Sequence, residues 1–161
     1  MTGEKTPMEH EETARCLCGA VELRLSGEPL TVTYCHCGTC RRATGGPLAV
    51  FVGYETAQIA YPNKRPRSFA SSPGIDRPFC PDCGTRIGYA DAELPGRLYL
   101  HVGILDRPER CVPQWHAFER ERLPWLKIAD DLPRHATFSI KRADAGRPDV
   151  EQQGKTLESC G

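Results

Sequence analysis

Cys80-Pro81-Asp82-Cys83-Gly84 places two thiols three positions apart and follows the second with a glycine. A two-residue spacer lets both sulfurs point at one ion, and the glycine can take the positive φ that such a turn often needs. A redox pair of the same spacing belongs between a strand and a helix, a context that these turn-rich flanks do not supply. Upstream, Cys16-Leu17-Cys18-Gly19 carries two more thiols, again followed by glycine. Cysteines two apart on an extended chain have Cα atoms about 6.6 Å apart, so the chain must bend at Gly19 before both sulfurs reach one ion. Two buried cysteines at a strand edge are the plainer alternative for this pair. Taken with Cys80 and Cys83, it completes four ligands from distant parts of the chain. Such a closed site would staple the N-terminal strand to the middle of the domain.

Cys35-His36-Cys37-Gly38-Thr39-Cys40 has three thiols. Three ligands leave a tetrahedral ion one open position, the arrangement of a catalytic rather than a structural zinc. Strand alternation through residues 30–37 puts Cys35 and Cys37 on one side and His36 on the other. Gly38 and Thr39 let the chain curl so that Cys40 can join them. His36 as a fourth ligand is the weaker alternative. Arg41 and Arg42 follow at once; they either offset the charge of three thiolates and attract an anionic substrate, or form a solvated basic face. Cys111 and Cys160 stand alone, the first as a core residue and the second in the tail.

The rest of the chain bounds these sites. Of 161 residues, 21 are Lys or Arg and 21 Asp or Glu, a net charge of zero that excludes the basic footprint of a nucleic-acid binder. With 15 Gly, 14 Pro and 39% hydrophobic residues, turns and short strands are favoured around a modest core that metal can fasten. No stretch is apolar enough to span a membrane, and the first ten residues have no signal-peptide core. A cytoplasmic protein with reduced thiols is expected, and nine cysteines, an odd number, argue against a complete disulfide framework. Residues 1–14 read as a polar tail, 15–134 as one domain, and 135–161 as a weakly packed C-terminal tail. Alternation over residues 20–25 and 30–37 predicts half-buried strands, with further short strands at 48–52, 58–61, 67–70, 86–90, 97–102 and 113–118. Residues 119–131 predict a helical turn or two. His101 and His116 fall on expected strands, where a histidine is commonly a packed residue.

Together these motifs resemble the family of glutathione-dependent formaldehyde-activating enzymes, which includes the centromere protein V domain. The resemblance rests on Cys16-Leu17-Cys18-Gly19-Ala20, Tyr34-Cys35-His36-Cys37, Cys40-Arg41-Arg42-Ala43-Thr44-Gly45, Ser71-Ser72-Pro73-Gly74, Arg77-Pro78-Phe79-Cys80-Pro81-Asp82-Cys83-Gly84, and residues 125–133. It implies a mainly β, Mss4-like fold of short antiparallel strands with few short helices. It also implies two zinc ions per chain, a structural one on Cys16, Cys18, Cys80 and Cys83 and a catalytic one on Cys35, Cys37 and Cys40. The activity it implies is that of a carbon–sulfur lyase acting on a small thiol, such as glutathione as co-substrate, and an aldehyde such as formaldehyde. A non-catalytic zinc scaffold for a protein partner is the competing expectation. A redox enzyme like the fold-related methionine sulfoxide reductases would need a reactive cysteine outside the clusters, and the flanks of Cys111 do not resemble one.

Overall fold

The computed structural model describes residues 11–139. Ten strands form two sheets. β1 (Glu11–Arg15), β2 (Glu22–Ser26) and β5 (Ile59–Ala60) make a small sheet in the order β1-β2-β5. The seven-stranded sheet runs β10-β3-β4-β9-β8-β7-β6, from β3 (Thr31–Cys35), β4 (Ala49–Glu55), β6 (Arg67–Ser72), β7 (Ile75–Phe79), β8 (Gly88–Asp91), β9 (Arg97–His101) and β10 (Trp115–Ala117). Pairing is antiparallel except for β10, which lies parallel to β3. One α-helix, α1 (Gly38–Thr44), and four short 3₁₀ turns complete a β-rich, Mss4-like fold. Among the described residues no helix is long and apolar enough to cross a membrane.

The central strands β3, β4 and β9 of the large sheet are buried on both faces, whereas β6 at its edge is exposed. Across β3, β4 and β9, Val32 pairs with Val52 and Val52 with Leu100, while Tyr54 pairs with Leu98. These side chains pack with Leu23 and Leu25 of the small sheet into the main core, which also contains Cys16 and Cys80. The opposite face carries Phe51 and Tyr99, clustered with Cys35, Cys37 and Cys40. In the expected strand at 97–102, Leu98 and Leu100 alternate with Tyr99, but all three are buried. A central strand between two apolar layers has no solvent face.

Two glycines keep the sheet closed. A Cβ on Gly88 would lie 2.1 Å from the Tyr99 carbonyl oxygen, and one on Gly53 2.9 Å from Thr31 Cγ2.

Three expectations need correction. Residues 11–14 belong to a strand rather than to a polar tail, because β1 pairs with β2 from Glu11↔Ser26 to Arg15↔Glu22. The strand was hidden because one of its buried positions is Glu12, whose carboxylate meets Arg107 at 3.3 Å. Residues 75–79, outside the expected strands, form β7. β6 and β7 form a hairpin in which Pro78 faces Ser68. The start of the presumed C-terminal tail also packs. Phe118 donates its N–H to the Thr137 carbonyl at 2.8 Å, and the Phe118 and Phe138 rings meet at 4.7 Å. Residues 140–161, with Cys160, lie outside the described residues.

Candidate metal centres

Two similar turns bring the four-cysteine group together. Gly19 N–H donates to the Cys16 carbonyl at 3.1 Å, and Gly84 N–H to the Cys80 carbonyl at 2.9 Å. Both glycines are left-handed, at φ 78° and 74°, a conformation that a side chain would strain. The bend anticipated at Gly19 thus exists and removes the reach problem of the two-apart pair. The Sγ atoms of Cys16 and Cys18 are 3.5 Å apart and those of Cys18 and Cys80 3.8 Å. All four sulfurs lie within 4.8 Å of one another. A tetrahedron with bonds of about 2.3 Å has edges of roughly 3.8 Å, so the donor set fits one zinc ion. Val21 N–H donates to Cys16 Sγ at 3.3 Å, and the Thr85 hydroxyl lies 3.1 Å from Cys83 Sγ. Hydrogen bonding from Thr85 holds the Cys83 thiol down to about 5.

The three-cysteine group uses a strand end and a helix start. β3 delivers Cys35 to the buried aromatic face. Cys37 caps α1, its sulfur accepting from the Cys40 amide at 3.2 Å. The first helical turn then returns Cys40 to Cys37, so the anticipated curl is an α-helical one. Cys35 and Cys37 sulfurs are 3.5 Å apart, and all three lie within 4.8 Å of one another. Hydrogen bonding from Cys35 holds Cys37 down to about 3, and hydrogen bonding to Cys37 pushes Cys35 well up. Such a cluster concentrates charge on one sulfur; carrying three charges requires a cation among them. The thiols are 6–7% exposed and walled by Phe51, Tyr99, Tyr89, Leu94 and Phe118.

Arg41 has one guanidinium nitrogen engaged by the backbone. Its Nη1 donates to the carbonyls of His36 at 2.7 Å and Glu121 at 2.5 Å, which ties α1 to the chain after β10. Glu121 also accepts from the Gly38 amide at 2.7 Å. Arg42 is exposed. His36 is not gathered with the thiols. Its ring turns to the opposite side, as strand alternation requires, and its Nε2 lies 2.8 Å from His116 Nδ1. His116 Nε2 lies 3.1 Å from an Asp130 oxygen. Since the carboxylate accepts, His116 carries its proton on Nε2 in the neutral form, and His36 donates to Nδ1. The two rings lie 9° from coplanar with centroids 5.1 Å apart, the geometry of an in-line hydrogen bond. Glu119 approaches both rings at 3.6 and 3.9 Å. His101 packs on Phe51, and burial with nearby Arg77 and Arg86 lowers it to about 4.

Sequence reasoning did not find Arg77, Tyr89, Tyr99, Glu121 or Asp130. Each is a lone residue; strand pairing brings Arg77, Tyr89 and Tyr99 to a cluster, and the path of the chain after β10 brings Glu121 and Asp130. Alternation from Ile75 was a usable signal for Arg77, but Pro78 obscured it.

Comparison with known proteins agrees with the cysteine pattern. Residues 11–121 match the model of the family described as glutathione-dependent formaldehyde-activating enzyme. An uncharacterised lyase of Schizosaccharomyces pombe is 32% identical over 80 residues, covering 50% of this chain and 58% of the relative. The chain thus spans under two thirds of that curated relative. A crystal structure of a Rhodobacter sphaeroides protein aligns with TM-score 0.49 and 23% identity, covering 58% of this chain and 87% of that one.

Proposed function

Because the chain belongs to the glutathione-dependent formaldehyde-activating enzyme family, we propose that it is a zinc-dependent carbon–sulfur lyase acting on adducts of a small thiol with an aldehyde. Glutathione and formaldehyde are the substrates that the family name suggests, and a cytoplasmic site of action belongs to the same reading. The observation that carries it is the gathering of Cys35, Cys37 and Cys40, all within 4.8 Å, at the edge of an aromatic layer. Cys16, Cys18, Cys80 and Cys83 would hold the structural ion and Cys35, Cys37 and Cys40 the catalytic one. An ion bound by the three cysteines would supply a Lewis acid that favours the ionised form of an incoming thiol.

The chain's own residues do the rest. Cys37, capped by the Cys40 amide, is the sulfur best stabilised as thiolate. Arg41 and Glu121 hold the loop that presents all three. Phe51, Tyr89 and Leu94 limit water around the reacting atoms and favour small reactants. In the adduct-forming direction the thiol sulfur attacks the carbonyl carbon. A C–S bond forms, the C=O π pair moves to oxygen, and the proton lost by the thiol ends on the new hydroxyl. The lyase direction reverses each change.

The test is zinc per chain by native mass spectrometry on reduced full-length protein, with and without glutathione, beside the rate of S-hydroxymethyl adduct formation. Two ions, with glutathione bound at or displacing only one, and a rate above the uncatalysed one are expected. One ion, indifferent to glutathione, with no rate effect would leave the zinc scaffold for a protein partner as the better reading.

A further inference from the structure

Arg77 is a buried charge that the cysteine chemistry does not by itself account for. It lies on β7 and is 5% exposed. Its Nε donates to Ser71 Oγ at 3.0 Å, and its guanidinium carbon sits 5.8 Å from the centroid of the Tyr89 ring. Its Nη1 is buried and, among the described residues, has no hydrogen-bond partner. A buried guanidinium with a bare N–H carries a desolvation cost until an acceptor reaches it. The Tyr89 ring stacks in turn on Tyr99 at 4.9 Å, and Tyr99 belongs to the cluster containing Cys35, Cys37 and Cys40. Tyr99 Oη is likewise buried without a partner. Arg77, Tyr89 and Tyr99 therefore form a row over three neighbouring strands that leads toward the thiols. The positive charge of Arg77 is close enough to favour the ionised forms of Cys37 and Cys40. Both orphan groups can donate, and what they lack is an acceptor.

Building on the lyase reading, we infer that Arg77 binds a carboxylate of the thiol substrate. The site then selects a small thiol that carries a carboxylate over a neutral thiol of the same size. A guanidinium presents planar paired donors that match a carboxylate. Arg41 already donates through Nη1 to two carbonyls and Arg42 is exposed, whereas Arg77 is buried with Nη1 free of a partner among the described residues. Arg77 is a specificity-determining residue in this scheme, separate from the metal ligands.

The experiment uses full-length cobalt(II)-substituted protein and follows thiolate-to-cobalt charge-transfer absorbance. It is titrated with N-acetylcysteine and, in parallel, with N-acetylcysteine amide. The unaltered protein should bind the carboxylate thiol more tightly. Arg77→Gln should weaken N-acetylcysteine by about 10- to 100-fold while changing the amide by less than about threefold, and Arg77→Lys should recover part of the loss. Because both thiols are compared on one preparation, partial unfolding cancels from the ratio. An equal loss for both thiols, or an unaltered protein that does not distinguish them, overturns the assignment of Arg77 and leaves the lyase reading standing. No spectral response of the unaltered protein to either thiol overturns the lyase reading and this inference with it.

Discussion

The two cysteine groups differ in how far the chain travels to build them. The three-thiol group is local: Cys35, Cys37 and Cys40 span one strand end and one helical turn. The four-thiol group joins Cys18 to Cys80, 62 residues apart, with only short turns to support each pair. Closing a long loop constrains the unfolded chain strongly, so metal held at the second group would contribute to folding itself. Metal held at the first group would contribute mainly chemistry, because the sheet and the Arg41–Glu121 clamp already hold its loop. A site can be demanding for stability or for function, and the sequence separation of its ligands indicates which.

This contrast fails if Cys83→Ala and Cys40→Ala behave alike. Structural zinc is worth on the order of 10 kcal/mol in small domains, comparable to the whole net stability of a fold. Cys83→Ala should therefore leave a chain without a cooperative thermal transition. Chelation of the native protein should do the same, followed by dispersion of amide proton resonances. Cys40→Ala should keep a melting temperature within about 5 °C of the parent yet bind one ion fewer and lose at least about 100-fold in adduct turnover.

The sheet between the two sites offers a sharper test. Gly88→Ala drives a Cβ into the Tyr99 backbone, where no side chain can yield. A loss of about 2–3 kcal/mol in chemical denaturation is expected from such overpacking, and it should weaken both metal sites together. His116→Phe leaves the buried His36 Nε2 without its acceptor. It should cost about 1–3 kcal/mol, with the loss confined to the α1 side and the four-cysteine metal retained.

The smallest effect is one of pH. Burial raises Glu119, but the hydrogen bond to Arg122 and the charge of Arg134 outweigh it and leave the carboxyl below its ordinary value. A carboxyl lowered in the folded state stabilises fully above the ordinary carboxylate range, and its contribution is lost as pH falls through the folded value. Hydrogen-exchange protection over residues 115–122 should thus be full above the ordinary carboxylate range and decline as the pH falls below it. Unchanged protection there would show that the segment is held by packing rather than by the Glu119 ion pairs with Arg122 and Arg134.

Cysteine spacing, glycine placement and period-two alternation were legible in the chain because each is a local rule. Spacing alone sorted the thiols into a set of four and a set of three, both of which gather, and alternation marked β2, β3 and β9 as strands within a few residues. It also sent His36 away from Cys35 and Cys37. What alternation could not supply is the partner of a side chain. The pairing of His36 with His116, the use of Arg41 as a backbone clamp, the burial of Glu12 and the approach of Arg77 toward the thiols all join residues distant in sequence. Those outcomes depend on strand order in a sheet whose central strands are covered on both faces, which no local pattern encodes. Local geometry determined which atoms could bind metal, and tertiary packing decided which charges surround them.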